Sequence, residues 1–142
     1  MLTVKIPLDP VSHNRAFPTG ANGRRFLSAK GKGFKRAVEL ITKAAINKHK
    51  FTFDESIHYF TIGIDLYMPN LFTLKGIVSK GKVDTSNCIK LLEDSIFSAI
   101  GVDDYLVLGF DYIRVFRSKA PWIVVTIQKH LQSEKLTFVE VP

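Results

Sequence analysis

"KVDTSNCIKLLEDSIFSAIGVDDYLVL", Lys82 to Leu108, contains a helix, its stop and the start of a strand in one run. Asp84 stands where a helix N-cap belongs and Gly101 where a helix ends, so the spacing predicts a helix over about Thr85 to Ala99. Cys88, Leu92, Ser95, Ile96 and Ala99 fall along one side, suited to a core. Asn87, Lys90 and Asp94 fall together on another, near the direction of Asp84. Asp103 and Asp104 follow the stop and lead into a strand over 105–117.

Upstream, Leu2, Val4 and Ile6 alternate as in a strand, which Pro7 and Pro10 end. Residues 11–27, with "FPTGANG", read as a loop. Ser28 is the expected N-cap of a helix reaching about Lys48. Its apolar positions Phe34, Ala37, Val38, Ile41, Ala44 and Ala45 recur at helical spacing. Residues 57–68 put Phe60, Ile62, Ile64, Leu66 and Met68 on one face of a second strand. Within the connection 69–83, "LFTLKGIVSKGK" predicts a small hairpin turning near Lys75–Gly76. Residues 122–128 are a further strand, and "RSKAP" before it predicts an antiparallel hairpin with the strand over 105–117. The end, 129–142 with "LTFVEV", is either a short edge strand or a tail. The order β-α-β-α-β-β predicts a single α/β domain over residues 1–142, a small mixed sheet covered by two helices.

A chain of 142 residues can bury a core of this size. No apolar run is long enough to cross a bilayer, and no signal-length apolar segment precedes Asp9. The single Cys88 cannot form an internal disulfide. The expectation is a cytoplasmic protein with no membrane partner. Net charge is +7, with a sequence pI near 9.6, a usual footprint of nucleic-acid binding. The charge is segregated. Residues 1–53 carry eleven Lys or Arg against Asp9 and Glu39, whereas Asp84, Glu93, Asp94, Asp103, Asp104 and Asp111 crowd into 84–111.

Four of these acids, and Cys88, have ordinary structural readings. Asp84 as an N-cap contributes about 1 kcal/mol. Asp103–Asp104 reads as a solvated turn, Lys90–Asp94 as a surface ion pair of a few tenths of a kcal/mol, and Cys88 as a small core residue. There is also a geometric difficulty. A helix of this length spans about 22 Å, so Asp84 and the Asp103–Asp104 pair stand at opposite ends unless the chain runs back.

Together, Asp-x-x-Asn-x-x-Lys, then Asp, then Asp-Asp before a strand, resembles the RusA family of Holliday-junction resolvases. The resemblance spans roughly residues 2–128, including "SHNR" and "RRFLSAKGKGFKRAV", and is most specific over 84–107. It implies a small α/β homodimer that cuts four-way DNA junctions with Mg²⁺, or Mn²⁺ in its place. Asp84 and Asp104 match the family's first and third essential aspartates, and Lys90 its lysine. Asn87 and Asp94 match recurring positions. Ser86 falls where the family carries its second aspartate, and Asp103 is placed to take up that role. The implied metal ligands are therefore Asp84 and Asp104, with Asp103 and Ser86. The connection 69–83 is longer than the short basic turn of the pattern.

Mg²⁺ is held by one or two carboxylates and finishes its shell with water and phosphate oxygens, which suits this donor set. Arg15, Arg24, Arg25, Lys30, Lys32, Lys35, Arg36 and Lys82 would neutralise phosphates on the junction arms. Two rival readings remain. One is a branched-DNA binding protein with weak or no nuclease activity, motivated by Ser86. The other is a basic RNA-binding domain whose acids are only caps and turns.

Overall fold

The computed structural model describes residues 1–80, 85–135 and 138–142. Leu2–Ile6 (β1), His58–Met68 (β2), Val107–Arg117 (β3) and Trp122–Leu131 (β4) form one mixed sheet in the order β1-β4-β2-β3. The helices are α1 (His13–Ala16), α2 (Ala29–His49) and α3 (Thr85–Ile100). The α/β class and the two long helices are as expected.

Strand alternation builds the core. Leu2, Val4 and Ile6 of β1 register with Ile127, Val125 and Ile123 of β4, and these with Ile62, Ile64 and Leu66 of β2. Residues in register point to the same side of a sheet, so nine aliphatic side chains tile one face, none more than 1% exposed. Phe34 and Val38 of α2 and Leu91, Leu92 and Ile96 of α3 close over that face. Cys88 is fully buried, as the core reading requires. Of the apolar positions expected on α2, Ala44 is exposed. Thr42 is buried instead, with its hydroxyl donating to the Val38 carbonyl at 2.7 Å.

Ser28 caps α2, accepting from the Gly31 N–H at 3.1 Å, and its hydroxyl donates to the Arg15 carbonyl at 2.7 Å. One serine thus fixes the start of α2 and the end of α1. The stretch 11–27 is therefore not all loop. A single helical turn leaves no periodicity to read, and α1 is held by contact, with Ala16 fully buried.

The expected hairpin between the last two strands is corrected. β3 and β4 are not neighbours: they flank β2, β3 parallel to it and β4 antiparallel. The connection passes the end of β2, where the Ser118 N–H donates to the Met68 carbonyl at 3.2 Å. Burial explains the order. Ile123, Val125 and Ile127 need neighbours on both sides, whereas β3 is exposed along most of its length and takes the edge. Leu108 and Asp111 are the extra residues at two irregularities in the β2–β3 register. At the C-terminus, a 3-10 turn over Gln132–Lys135 follows β4, and residues 138–142 form no strand. Phe138, Val139 and Val141 are exposed, so this end is a tail.

Candidate active site

The outer face of α3 carries the acidic motif because its inner face is fully committed to the core. Leu91, Leu92, Ile96 and Phe97 are buried, while Ser86, Asn87 and Lys90 are exposed and Glu93 and Asp94 half-buried. Lys90 Nζ lies 3.3 Å from Asp94 Oδ1, one helical turn on. Asp94 is the main reason the Lys90 ammonium holds its proton more tightly than usual; Glu93 and Asp104 act in the same direction. The Glu93 carboxyl is pushed up, first by burial and then by the charges of Asp94 and Asp104, with Lys90 opposing.

The chain reversal after α3 answers part of the geometric difficulty. Gly101, at φ 83°, adopts the left-handed conformation that ends a helix, and the N–H groups of Gly101 and Val102 both donate to the Phe97 carbonyl. Val102 and Leu106 are buried and pin the return. Between them, the Asp103 carbonyl accepts from the Leu106 N–H at 3.0 Å, and Asp104 opens a 3-10 turn. The Asp104 carboxylate acts electrostatically, as the weakest of the contributing charges, on both Lys90 and Glu93, so the return keeps it within electrostatic reach of α3.

The fold thus gathers Lys90, Glu93, Asp94 and Asp104. Asp103 is exposed next to them, and Ser86 and Asn87 stand one turn earlier on α3. Asp84 and Lys82 lie outside the described residues. Glu93 is the member that sequence reasoning passed over. Its signal was the three-residue offset from Lys90, which puts both on one helix face.

Among the described residues, no three acidic, His or Cys side chains converge closely enough to hold a metal ion by themselves. The donor chemistry nonetheless fits a hard divalent cation. The groups are oxygens, and the proton affinity of Glu93 is raised first by burial and then by the charges of Asp94 and Asp104, a repulsion that a cation relieves. Arg15 on α1, Arg24 and Arg25 in the loop, and Lys30, Lys32 and Arg36 on α2 are exposed, with Lys35 half-buried. Among the described residues none of them is in an ion pair. α1 packs against both α2 and α3, so cations and acids share one helical layer.

Fold and site together define a small basic α/β protein with an acidic, lysine-bearing centre on one helix. The family model described as endodeoxyribonuclease RusA matches residues 7–128, which take in every site residue named above. The chain belongs to the RusA endodeoxyribonuclease family, nucleases that resolve Holliday junctions. No curated protein matches the chain.

Proposed function

We propose that this protein is a Mg²⁺-dependent endonuclease that resolves four-way DNA junctions by paired nicks, working as a homodimer in the cytoplasm in DNA recombination and repair. The observation that carries this reading is the family match across the block that gathers Lys90, Asp94 and Asp104. Asp84 and Asp104 would hold the metal, with Ser86 or Asp103 contributing through water. When bound, the metal supplies a lowered water pKa and charge neutralisation at the phosphate.

Lys90 stays protonated at neutral pH, because Asp94, Glu93 and Asp104 all raise its proton affinity. It therefore acts as a fixed positive charge toward the phosphate and not as a base. Asp94 holds that ammonium in place across one helical turn. The basic residues of α1, the following loop and α2 bind phosphates without reading sequence, which makes affinity fall steeply with salt. A homodimer supplies two centres for a junction of matching two-fold symmetry.

Ser86 supports a second reading, junction binding with weak or no cleavage, because its hydroxyl neutralises no metal charge. The deciding experiment compares a synthetic four-way junction with linear duplex of the same sequence across a titration of Mg²⁺ and Mn²⁺. Metal-dependent cutting of the junction alone is expected. Tight junction binding with no cutting under either metal, and cutting gained in Ser86→Asp, would select the second reading.

A further inference from the structure

The connection between β2 and α3 carries a hairpin that the acidic centre does not use. Phe72 and Val78 face each other in an antiparallel bridge. The Thr73 N–H donates to the Ile77 carbonyl at 2.7 Å, the Ser79 N–H to the Leu71 carbonyl at 2.9 Å, and the Gly76 N–H to the Thr73 carbonyl at 2.9 Å. Gly76 sits at φ 78°, the left-handed position that closes a short hairpin loop. Leu71 packs against the core and anchors the base. From there the surface is apolar in a way that water does not favour. Phe72, Ile77 and Val78 are exposed, and Leu74 at the tip is 109% exposed, as open as a side chain can be.

From this we infer that the hairpin 71–79 is a wedge for the branch point of a four-way DNA junction, with Leu74 as the inserted side chain. The inference rests on the proposed function and deepens it, because it assigns the source of selectivity for branched over linear DNA. Three observations point to DNA as the occupant. The stretch 69–80 contains no acid, and Lys75 and Lys80 are exposed on it, so the apolar tip is flanked by cations. Two such hairpins meeting tip to tip would set Lys75 and Lys80 against the same cations of the other copy, which disfavours a second hairpin as the occupant. Leu74 is the most exposed of the hairpin's large apolar side chains, ahead of Ile77, Val78 and Phe72, so a single side chain leads the surface, which suits a gap between base pairs.

The branch point follows from energetics. Proteins that push Leu, Phe or Ile between base steps must unstack them, at a cost of a few kcal/mol per step in continuous duplex. At a four-way junction the strands exchange and the stack is interrupted, so most of that cost is absent. Insertion then rewards the branched structure without reading any base edge. The cross-strand bonds fix the backbone on either side of Leu74, so little backbone freedom is lost on insertion.

The test uses the full chain with Ca²⁺ in place of Mg²⁺, to measure binding without cutting. The junction carries 2-aminopurine at the branch point, and a matched linear duplex serves as competitor. Wild type is expected to prefer the junction and to raise the 2-aminopurine fluorescence. Leu74→Ser removes no packing, so the fold and duplex affinity should stay as they are. Its junction preference should fall roughly tenfold, equivalent to about 1.4 kcal/mol, and the fluorescence rise should disappear. Lys75→Ala should weaken junction and duplex binding alike and keep the fluorescence rise. Unchanged preference and fluorescence in Leu74→Ser would overturn the wedge while leaving the proposed function standing. A change of oligomeric state in that variant would overturn it in favour of a contact between copies. Absence of any junction preference in wild type would overturn both.

Discussion

Asp65 on β2 and Arg114 on β3 are joined by two hydrogen bonds, Nε to Oδ1 at 2.7 Å and Nη2 to Oδ2 at 3.0 Å, across 49 residues of sequence. Asp65 is 7% exposed, on the sheet face opposite the helices. The Arg114 guanidinium lies 4.1 Å from the centre of the Tyr112 ring. The pair ties the edge strand β3 to the interior strand β2. Arg114→Ala should lower the urea midpoint, because it leaves a poorly solvated carboxylate without its partner. Arg114→Lys should recover only part, since a point charge replaces a fork. Adding Asp65→Asn to Arg114→Ala should restore some of the loss, which a double-mutant cycle measures directly.

Gly63 lies opposite Tyr112 in the β2–β3 register, and the tyrosine ring covers it. A Cβ at residue 63 would collide with the hydroxyl end of that ring, at Cζ, Cε1 and Oη. Gly63→Ala should therefore displace Tyr112, disturb its contact with Arg114, and cost about 1–3 kcal/mol in denaturant unfolding. Gly63→Ala combined with Tyr112→Ala should lose less than the two changes summed.

Glu93 predicts a pH dependence. Its folded proton affinity is raised above the ordinary value of 4.5, chiefly by burial, so the folded state binds the proton more readily than the unfolded one. Stability from this group is then fully present below the unfolded value and is lost as pH rises through the window above 4.5. Glu93→Gln should flatten that slope and raise the melting temperature at neutral pH. Thermal melts of both proteins across the acid and neutral range check it. Lys90→Ala should steepen the slope, because Lys90 is the charge that opposes the shift.

The proposed function predicts that catalysis and binding separate at Asp104 and Lys90. Asp104→Asn should abolish junction cleavage while gel-shift affinity persists. Lys90→Ala should lower the cleavage rate by about 100-fold or more, the usual cost of removing one fixed electrostatic contact to the reacting phosphate. Full activity in Asp104→Asn would remove that residue from the centre.

The local features of this chain were legible from its sequence. Alternation at Leu2, Val4 and Ile6 and along His58–Met68 marked the strands, because a pleated strand has a period of two whatever it pairs with. Ser28 and Gly101 marked helix ends, because capping is satisfied within one turn. The turn at Lys75–Gly76 belongs with them. What lay beyond the sequence was set by contacts between distant residues. Alternation gives a strand its faces but not its neighbours, so the β3–β4 hairpin was read where β2 stands between them. One-turn α1 is held by the elements it meets, among them Ser28 and Gly31 of α2's start. The site divides the same way. Helical spacing put Asn87, Lys90 and Asp94 on one face of α3. Only the folded return through buried Val102 and Leu106 brought Asp104 within electrostatic reach of Lys90 and Glu93, because a reversal of direction after a helix is fixed by what the returning residues bury.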